Sequence, residues 1–527
     1  MKFINFILLF IPITPITGNG QQIIYSEPEK NISNSRDVEI IGKIEDNFLM
    51  CAAIKNKYQL QVYDDQLKLK EKVNLDFIPA ETYQVDFVSY PKLFLVIFQS
   101  KYNKQVYVSA ARLDKSGKLL EKIVTLDSIK AGAYNGRVIY SFAVSENKKH
   151  ILLYRSLGGV NPEAQLIEQL IVSDELKTEK TDKYFVSYFL DEHFASDLKL
   201  DDEGNVVFIR YSKPLNATTN LTFYKAPFSS PDLEMKDMTI NKYALAFPQI
   251  KINNSKGLYY LSSFYEGSET NVRGLLSVVL NKDLTDHERP LVYAFPDSIK
   301  QINSTKKAKI FPDSYSLKDI IFKEDGGFVV TGTLIKNNSN IAMPGSNLIR
   351  NTPFANELII PRKIGGRNVV EVIDRRDLYS FNSLNDPLSY SIERGNNSNY
   401  NNNLIPTNSI SSGGDVVVFS IDKYNHITSL TRLSDNAMLT PLLPYCKVLN
   451  SGNKLYFIYN NIDKNNNPLL SYSSFEDGAT AIPNTFFVNP NKSFTFLPEL
   501  GKQVDEHTMI IPCKKNNTTA FGKIHFE

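Results

Sequence analysis

Runs of apolar, β-branched and aromatic residues recur along the whole chain, separated by short stretches of Asp, Asn, Ser, Gly and Pro. Ile44-Glu45-Asp46-Asn47 precedes Phe48-Leu49-Met50, and Ser89-Tyr90-Pro91 precedes Leu93 to Ile97. The same change from turn to strand former follows Ser145-Glu146-Asn147, Asp201 to Gly204, Asn253-Asn254-Ser255, Glu324 to Gly327, Asn450-Ser451-Gly452 and Asp505-Glu506. Strand formers on both sides of residues that tolerate tight turns predict β-hairpins. A second kind of hairpin follows most of the first, at Asp64-Asp65, Asp114 to Gly117, Ser173-Asp174, Ser229 to Asp232, Asn281 to Asp283, Asp422 to Asn425 and Phe475 to Gly478.

Two hairpins per unit make four strands. The first five units and the last two recur every 44 to 56 residues or so, the range of four-stranded β-propeller blades. The last two units align without gaps, since 509 − 455 and 511 − 457 both give 54 and match Leu455 to Met509 and Phe457 to Ile511. Eight hairpins of the first kind against seven of the second leave the final unit one strand short. Gln22 to Tyr25, paired with Phe521 to Phe526, would supply that strand and remove two exposed edges. The expected fold is therefore all-β, an eight-bladed propeller closed by its two ends, with seven blades or two stacked β-sandwiches as the alternatives. Pro162 to Leu176, the best helix candidate, reads equally well as strand.

Composition narrows the function classes. Fifty-nine Lys and Arg against 57 Asp and Glu give a net charge of +2, without the basic surplus of a nucleic-acid-binding protein. Phe (32) and Tyr (28) are abundant while Trp is absent; this favours strands and removes the usual stacking platform for a sugar ring. Cys51, Cys446 and Cys513 are too few and too far apart for a disulfide scaffold or a cysteine-based zinc site. They read as buried apolar side chains. Met1-Lys2, the apolar run Phe3 to Ile13 and the small residues Gly18-Asn19-Gly20 have the order of a secretory signal peptide. The expected division is a signal peptide over 1–20 and a single propeller over 21–527, exported to the periplasm, cell surface or extracellular space. No later stretch is long and apolar enough to predict a transmembrane helix. A monomer is expected.

Asp325-Gly326-Gly327-Phe328-Val329-Val330-Thr331-Gly332 resembles the turn-and-strand repeat of secreted bacterial β-propeller proteins, many of them uncharacterised. The resemblance covers one blade well; the other turns have drifted, Ser89-Tyr90-Pro91 lacking both Gly and Asp. It implies architecture and export but no reaction, since one fold hosts many functions.

The sixth unit is oversized. Roughly eighty residues, at about 335–415, separate its second and third strands. In a four-stranded meander that connection lies on the face of the links between blades, where propellers usually bind ligands. Six of the chain's fourteen arginines fall there: Arg350, Arg362, Arg367, Arg375, Arg376 and Arg394. The planar guanidinium suits carboxylate, phosphate or sulfate, although Glu357, Glu371, Asp374 and Asp377 could pair with these arginines instead. Gly395 to Asn403 reads as a low-complexity loop.

Catalytic motifs are scarce. The sequence has no Gly-x-Ser-x-Gly elbow, no phosphate-binding Gly-rich loop, no His-Glu-x-x-His and no EF-hand loop. Asp191-Glu192-His193, expected in a link between blades, and Asp197 on an innermost strand could do acid–base work or hold a cation; a solvated loop is the plainer reading. Asp505-Glu506-His507 reads as a hairpin turn. Asp37, Asp86, Asp197, Asp319 and Glu499 fall near the starts of expected innermost strands, where propeller glycosidases place paired carboxylates. Two function classes follow. The favoured one is a non-catalytic, exported propeller that binds a protein, peptide or glycan. The other is a carbohydrate-active hydrolase or lyase using Glu192, His193, Asp197 and Asp319. Neither calls for a cofactor or metal.

Overall fold

The computed structural model describes residues 23–32, 37–55, 57–130, 140–161, 164–187, 193–195, 198–212, 219–241, 243–266, 272–295, 315–334, 357–364, 367–374, 416–433, 447–452, 454–462, 468–476, 482–486, 494–515 and 518–526. They form an eight-bladed β-propeller, each blade an antiparallel meander running outward from its innermost strand. The innermost strands are Val38–Ile44, Thr82–Ser89, Ser141–Val144, Ala244–Asn253, Tyr315–Phe322 and Lys447–Ser451 in blades 1, 2, 3, 5, 6 and 7. Blade 4 divides its innermost strand into His193–Ala195 and Lys199–Leu200, and blade 8 into Thr495–Phe496 and Lys502–Gln503. The hairpin turns expected from the sequence, where they fall on described residues, are the first-to-second and third-to-fourth connections, and these lie on one face.

Burial explains the hydrophobic runs. A blade's middle strands are covered on both sides by neighbouring blades, so they need apolar residues at successive positions rather than alternation. Val416–Ile421 is buried at every position, while the outermost strand Leu69–Asn74 is exposed at most of its positions. Eight apolar clusters fill the eight seams between blades. Leu60 and Phe94 join blades 1 and 2, Val108 and Ile151 join 2 and 3, and Leu152 and Phe208 join 3 and 4. Phe223 and Tyr259 join 4 and 5, Phe264 and Phe419 join 5 and 6, and Val418 and Phe457 join 6 and 7. Tyr456 and Phe526 join 7 and 8, and Phe48 and Phe521 complete the ring between 8 and 1. Cys51 and Cys513 are buried within two of these clusters and unpaired; Cys446 lies outside the described residues.

The ring closes where its ends meet. Ile23, Ile24 and Tyr25 pair with Ile524, Lys523 and Gly522. The Ser26 amide donates to the Phe521 carbonyl at 2.9 Å and the Glu29 amide to the Thr519 carbonyl at 2.7 Å. The N-terminal strand is thus the outermost strand of blade 8. The candidate helix near Pro162 is strand over Ala164–Ser173, the third strand of blade 3. Among the described residues no helix is long and apolar enough to cross a membrane.

In blade 6 the second and third strands pair directly, Phe328 with Ile421 through Thr333 with Val416. Residues 335–415 are therefore an excursion from one strand-to-strand connection. Within it Glu357–Ile364 and Arg367–Asp374 form a separate antiparallel hairpin.

Candidate functional site

The innermost strands line the axis, and they are irregular. Register shifts fall between Thr82 and Gln84, Ala246 and Gln249, and Leu317 and Asp319. Each shift reverses the alternation of side chains that follows. Polar groups on neighbouring innermost strands then meet. The Gln249 side-chain amide donates to the Leu317 carbonyl at 3.1 Å, Lys251 pairs with Asp319 at 3.2 Å, and the Lys502 ammonium donates to the Ile41 carbonyl at 3.0 Å.

The candidate residues from the sequence distribute as follows. Asp319 is half-exposed and held by Lys251. Asp86 accepts a 2.6 Å hydrogen bond from the Gln84 side-chain amide. Asp37 stands just before the first strand of blade 1, and burial pushes its carboxyl above the usual range. Two placements differ from expectation. Glu499 sits in a short 3-10 turn, Pro498–Leu500, because Pro498 and the break in the innermost strand stop regular pairing there. His193 opens the innermost strand of blade 4 opposite Ser212 instead of lying in a link between blades. Arg362 and Arg367 lie on the two strands of the insertion hairpin. Glu192, Asp197, Arg350, Arg375 and Arg376 fall outside the described residues. Of the carboxylates proposed for catalysis Asp319 alone is among the described residues, and among these residues no group of His, Cys, Asp and Glu is arranged to hold a metal.

A different feature stands out at the opposite face from the insertion, where blades 6 and 7 meet beneath their hairpin turns. A cleft of about 600 Å³ opens there. Half-buried Phe322 lies along it, while Val329, Leu455 and Phe475 beneath it are buried in the packed seam between the two blades. Its rim is charged. Lys323 pairs with Asp325 at 3.4 Å and Lys454 with Glu476 at 2.9 Å. The hydrogen bond to Glu476 raises the Lys454 ammonium above the usual lysine range. Glu324 and Glu506 complete the rim on either side of Gly452, whose backbone is left-handed at φ 59°.

Beside this cleft the Ser451 hydroxyl and His507 Nδ1 are 2.6 Å apart, and Glu506 lies 3.9 Å from His507 Nε2. That last distance is outside hydrogen-bonding range, so the set lacks the acid–base–nucleophile relay that activates a serine. It is a clip between the turns of blades 7 and 8. The His507 amide donates to Asp505 at 3.1 Å, as its turn sequence led us to expect. Burial opposes ionisation of Asp505, but the Thr508 hydroxyl, the His507 amide and Lys43 outweigh it and hold the carboxyl below the usual range. Spacing alone gave no sign of the cleft, since its walls come from three blades.

No known family profile matches the chain, and no curated protein matches it in sequence. Similar solved structures are remote. The WD40 domain of SCAP from fission yeast aligns over 96% of this chain and 98% of its own, at 8% identity and a TM-score of 0.39. The Dos1 propeller aligns over 93% and 96%, at 10% identity and 0.39. Prolyl oligopeptidase B from Galerina marginata, bound to a 35mer hydrolysis and macrocyclization substrate, aligns over 94% of this chain but 55% of its own, at 8% identity and 0.38. Similarity at this level transfers neither activity nor partner.

Proposed function

We propose that this protein is an exported, non-catalytic β-propeller that binds a protein, peptide or glycan through the face bearing the blade 6 insertion. The observation that carries the reading is the direct pairing of the two strands flanking residues 335–415. An excursion the blade does not need for its own pairing is available for recognition, and it concentrates arginines suited to anionic groups. The order of residues 1–20 supports export, and the Asp325 to Gly332 motif supports kinship with secreted bacterial propellers. A carbohydrate hydrolase or lyase would need two carboxylates about 5 to 10 Å apart with free faces. The engagement of Asp319 by Lys251 and of Asp86 by Gln84 argues for binding over turnover.

The test is a glycan and peptide array probed with the chain over 21–527 and with a variant lacking 340–410, beside a chromogenic glycoside panel. Binding lost in the deletion and weakened by Arg362→Ala or Arg367→Ala is expected, with no turnover. Turnover abolished by Asp197→Asn or Asp319→Asn would overturn the proposal.

A further inference from the structure

We infer that the hairpin of the blade 6 insertion is a self-association site, which pairs edge to edge with the same hairpin of a second copy of this chain. The product is one four-stranded sheet and a two-fold dimer. It deepens the reading above, from which it takes the premise that the excursion is free for recognition, and it names this chain as the partner where the sequence led us to expect a monomer.

Glu357–Ile364 and Arg367–Asp374 pair with each other and, among the described residues, with no third strand. A two-stranded ribbon alone is marginally stable in water. Its two edges are not equivalent. Ile364 and Arg367 are register partners with two residues between them, so they form the doubly hydrogen-bonded pair that closes the hairpin. Such pairs alternate with open ones along the ribbon. Arg362 and Val369, Ile360 and Glu371, and Leu358 and Ile373 therefore exchange hydrogen bonds. At the open positions the backbone amides and carbonyls face away from the ribbon. On one edge these are Glu357, Ile359, Pro361 and Lys363, and on the other Asn368, Val370, Val372 and Asp374. Pro361 has no amide hydrogen, which costs the ribbon no internal bond at an outward position but interrupts that edge. The Arg367–Asp374 edge is an unbroken row of donors and acceptors built from the strand formers Val369, Val370, Val372 and Ile373.

Charge selects the occupant. Two antiparallel copies of this edge must set outward positions opposite outward positions, which leaves few registers. Within Arg367–Asp374, the register centred on Val369 alone sets opposite charges across from each other. Arg367 then stands opposite Glu371 of the second copy, and Glu371 opposite Arg367 of the second copy, at open pairs where strands approach most closely. Val369 meets its own copy on the two-fold axis, and Asn368 exchanges hydrogen bonds with Val370. Centring on Glu371 would instead set two glutamates together, which is unfavourable. The same patch serves both copies, as a two-fold interface requires. The Pro361 strands end up outermost, so the sheet stops at four strands.

The experiment is sedimentation equilibrium on the chain over 21–527 from about 1 µM to about 0.1 mM, the range expected of a small interface. A monomer–dimer equilibrium is expected, and it should vanish when residues 340–410 are deleted. Glu371→Arg sets arginine opposite arginine at both ends of the pairing and should weaken the dimer about tenfold. Adding Arg367→Glu to Glu371→Arg restores opposite charges and should restore the dimer. A chain monomeric throughout, assembly beyond the dimer, a dimer unchanged by the deletion or by Glu371→Arg, or a double variant no tighter than Glu371→Arg would each overturn the inference. A monomer that still binds array ligands through the insertion overturns the dimer alone, whereas a dimer that binds no array ligand overturns the ligand reading alone.

Discussion

Seven hairpin turns share one backbone solution. In the turns beginning at Asp64, Asp114, Ser173, Asp201, Asn281, Lys323 and Asp422, the first amide donates to the carbonyl four residues on, and the fourth residue donates back to the first. The fourth residue is left-handed in every one, with φ from 54° at Leu67 to 93° at Gly326. In five of the seven the first side chain also accepts from the amides two and four residues on, as Asp114 does from Ser116 and Lys118 at 2.9 and 3.0 Å. Glycine suits the left-handed position, yet Leu67, Leu176 and Leu284 occupy it in three turns. A left-handed leucine costs about 1–2 kcal/mol, and burying its side chain contributes about 1.5–3 kcal/mol. All three are 6% exposed or less, so burial wins. This is why the turns are recognisable in the sequence by their first residue more reliably than by glycine.

Charge at the residue scale gives a pH prediction in blade 3. Glu168 is bonded by Arg155 and, at 2.7 Å, by Lys183, with its side chain 12% exposed. Burial alone would raise its carboxyl, but the hydrogen bonds from Lys183 and Arg155 outweigh it and hold the group below the ordinary glutamate value of 4.5. With the folded value depressed, the stabilisation is complete above about pH 4.5 and is lost as pH falls through the lower folded value. Glu168→Gln should therefore cost about 1 kcal/mol at neutral pH. Paired thermal melts should show the difference at pH 7 and its disappearance in acid. A difference that persists unchanged at low pH would assign the effect to packing instead.

At the scale of elements, the blades divide into readable and unreadable strands. Middle strands such as Leu93–Tyr102 are apolar because both their faces are covered, and the sequence states this openly. Innermost strands do not follow simple alternation, because they bulge or break. Asp319 directly follows the shift after Leu317, so no count along the sequence could say whether it faces the axis or that Lys251 would meet it. The insertion belongs to this scale as well. Since Thr333 pairs with Val416, joining the flanking strands by a short turn should leave blade 6 intact. A chain lacking residues 340–410 is expected to unfold cooperatively with a melting temperature close to the parent's. Loss of the cooperative transition would make the excursion part of the core.

The whole molecule is held by closure. Its last blade takes three strands from the C-terminal end and one from the N-terminal end, so Thr518–His525 is paired on both sides and the short strand Ile23–Tyr25 is that blade's outer edge. Ile23 and Ile32 are 6% and 2% exposed against the partner strands. Removing residues 21–32 should cost about 3–6 kcal/mol from these two side chains alone and uncover Thr518–His525 as an edge. Lower melting temperature and concentration-dependent association in size-exclusion chromatography are expected. An unchanged melt with a monodisperse profile would mean the ring does not depend on the pairing.

The sequence by itself determined the repeat, the order of strands and the partners at closure, and it favoured eight blades over seven. Turn chemistry and continuous apolar runs are local, and a missing fourth strand can be counted. Only the tertiary structure decided which side chains share a site. Glu324, Gly452 and Glu506 stand on three successive blades and become neighbours because the ring brings equivalent turns together, while bulges in the innermost strands set which polar groups meet along the axis. Those outcomes depend on distances between residues far apart in the chain, which no local pattern encodes.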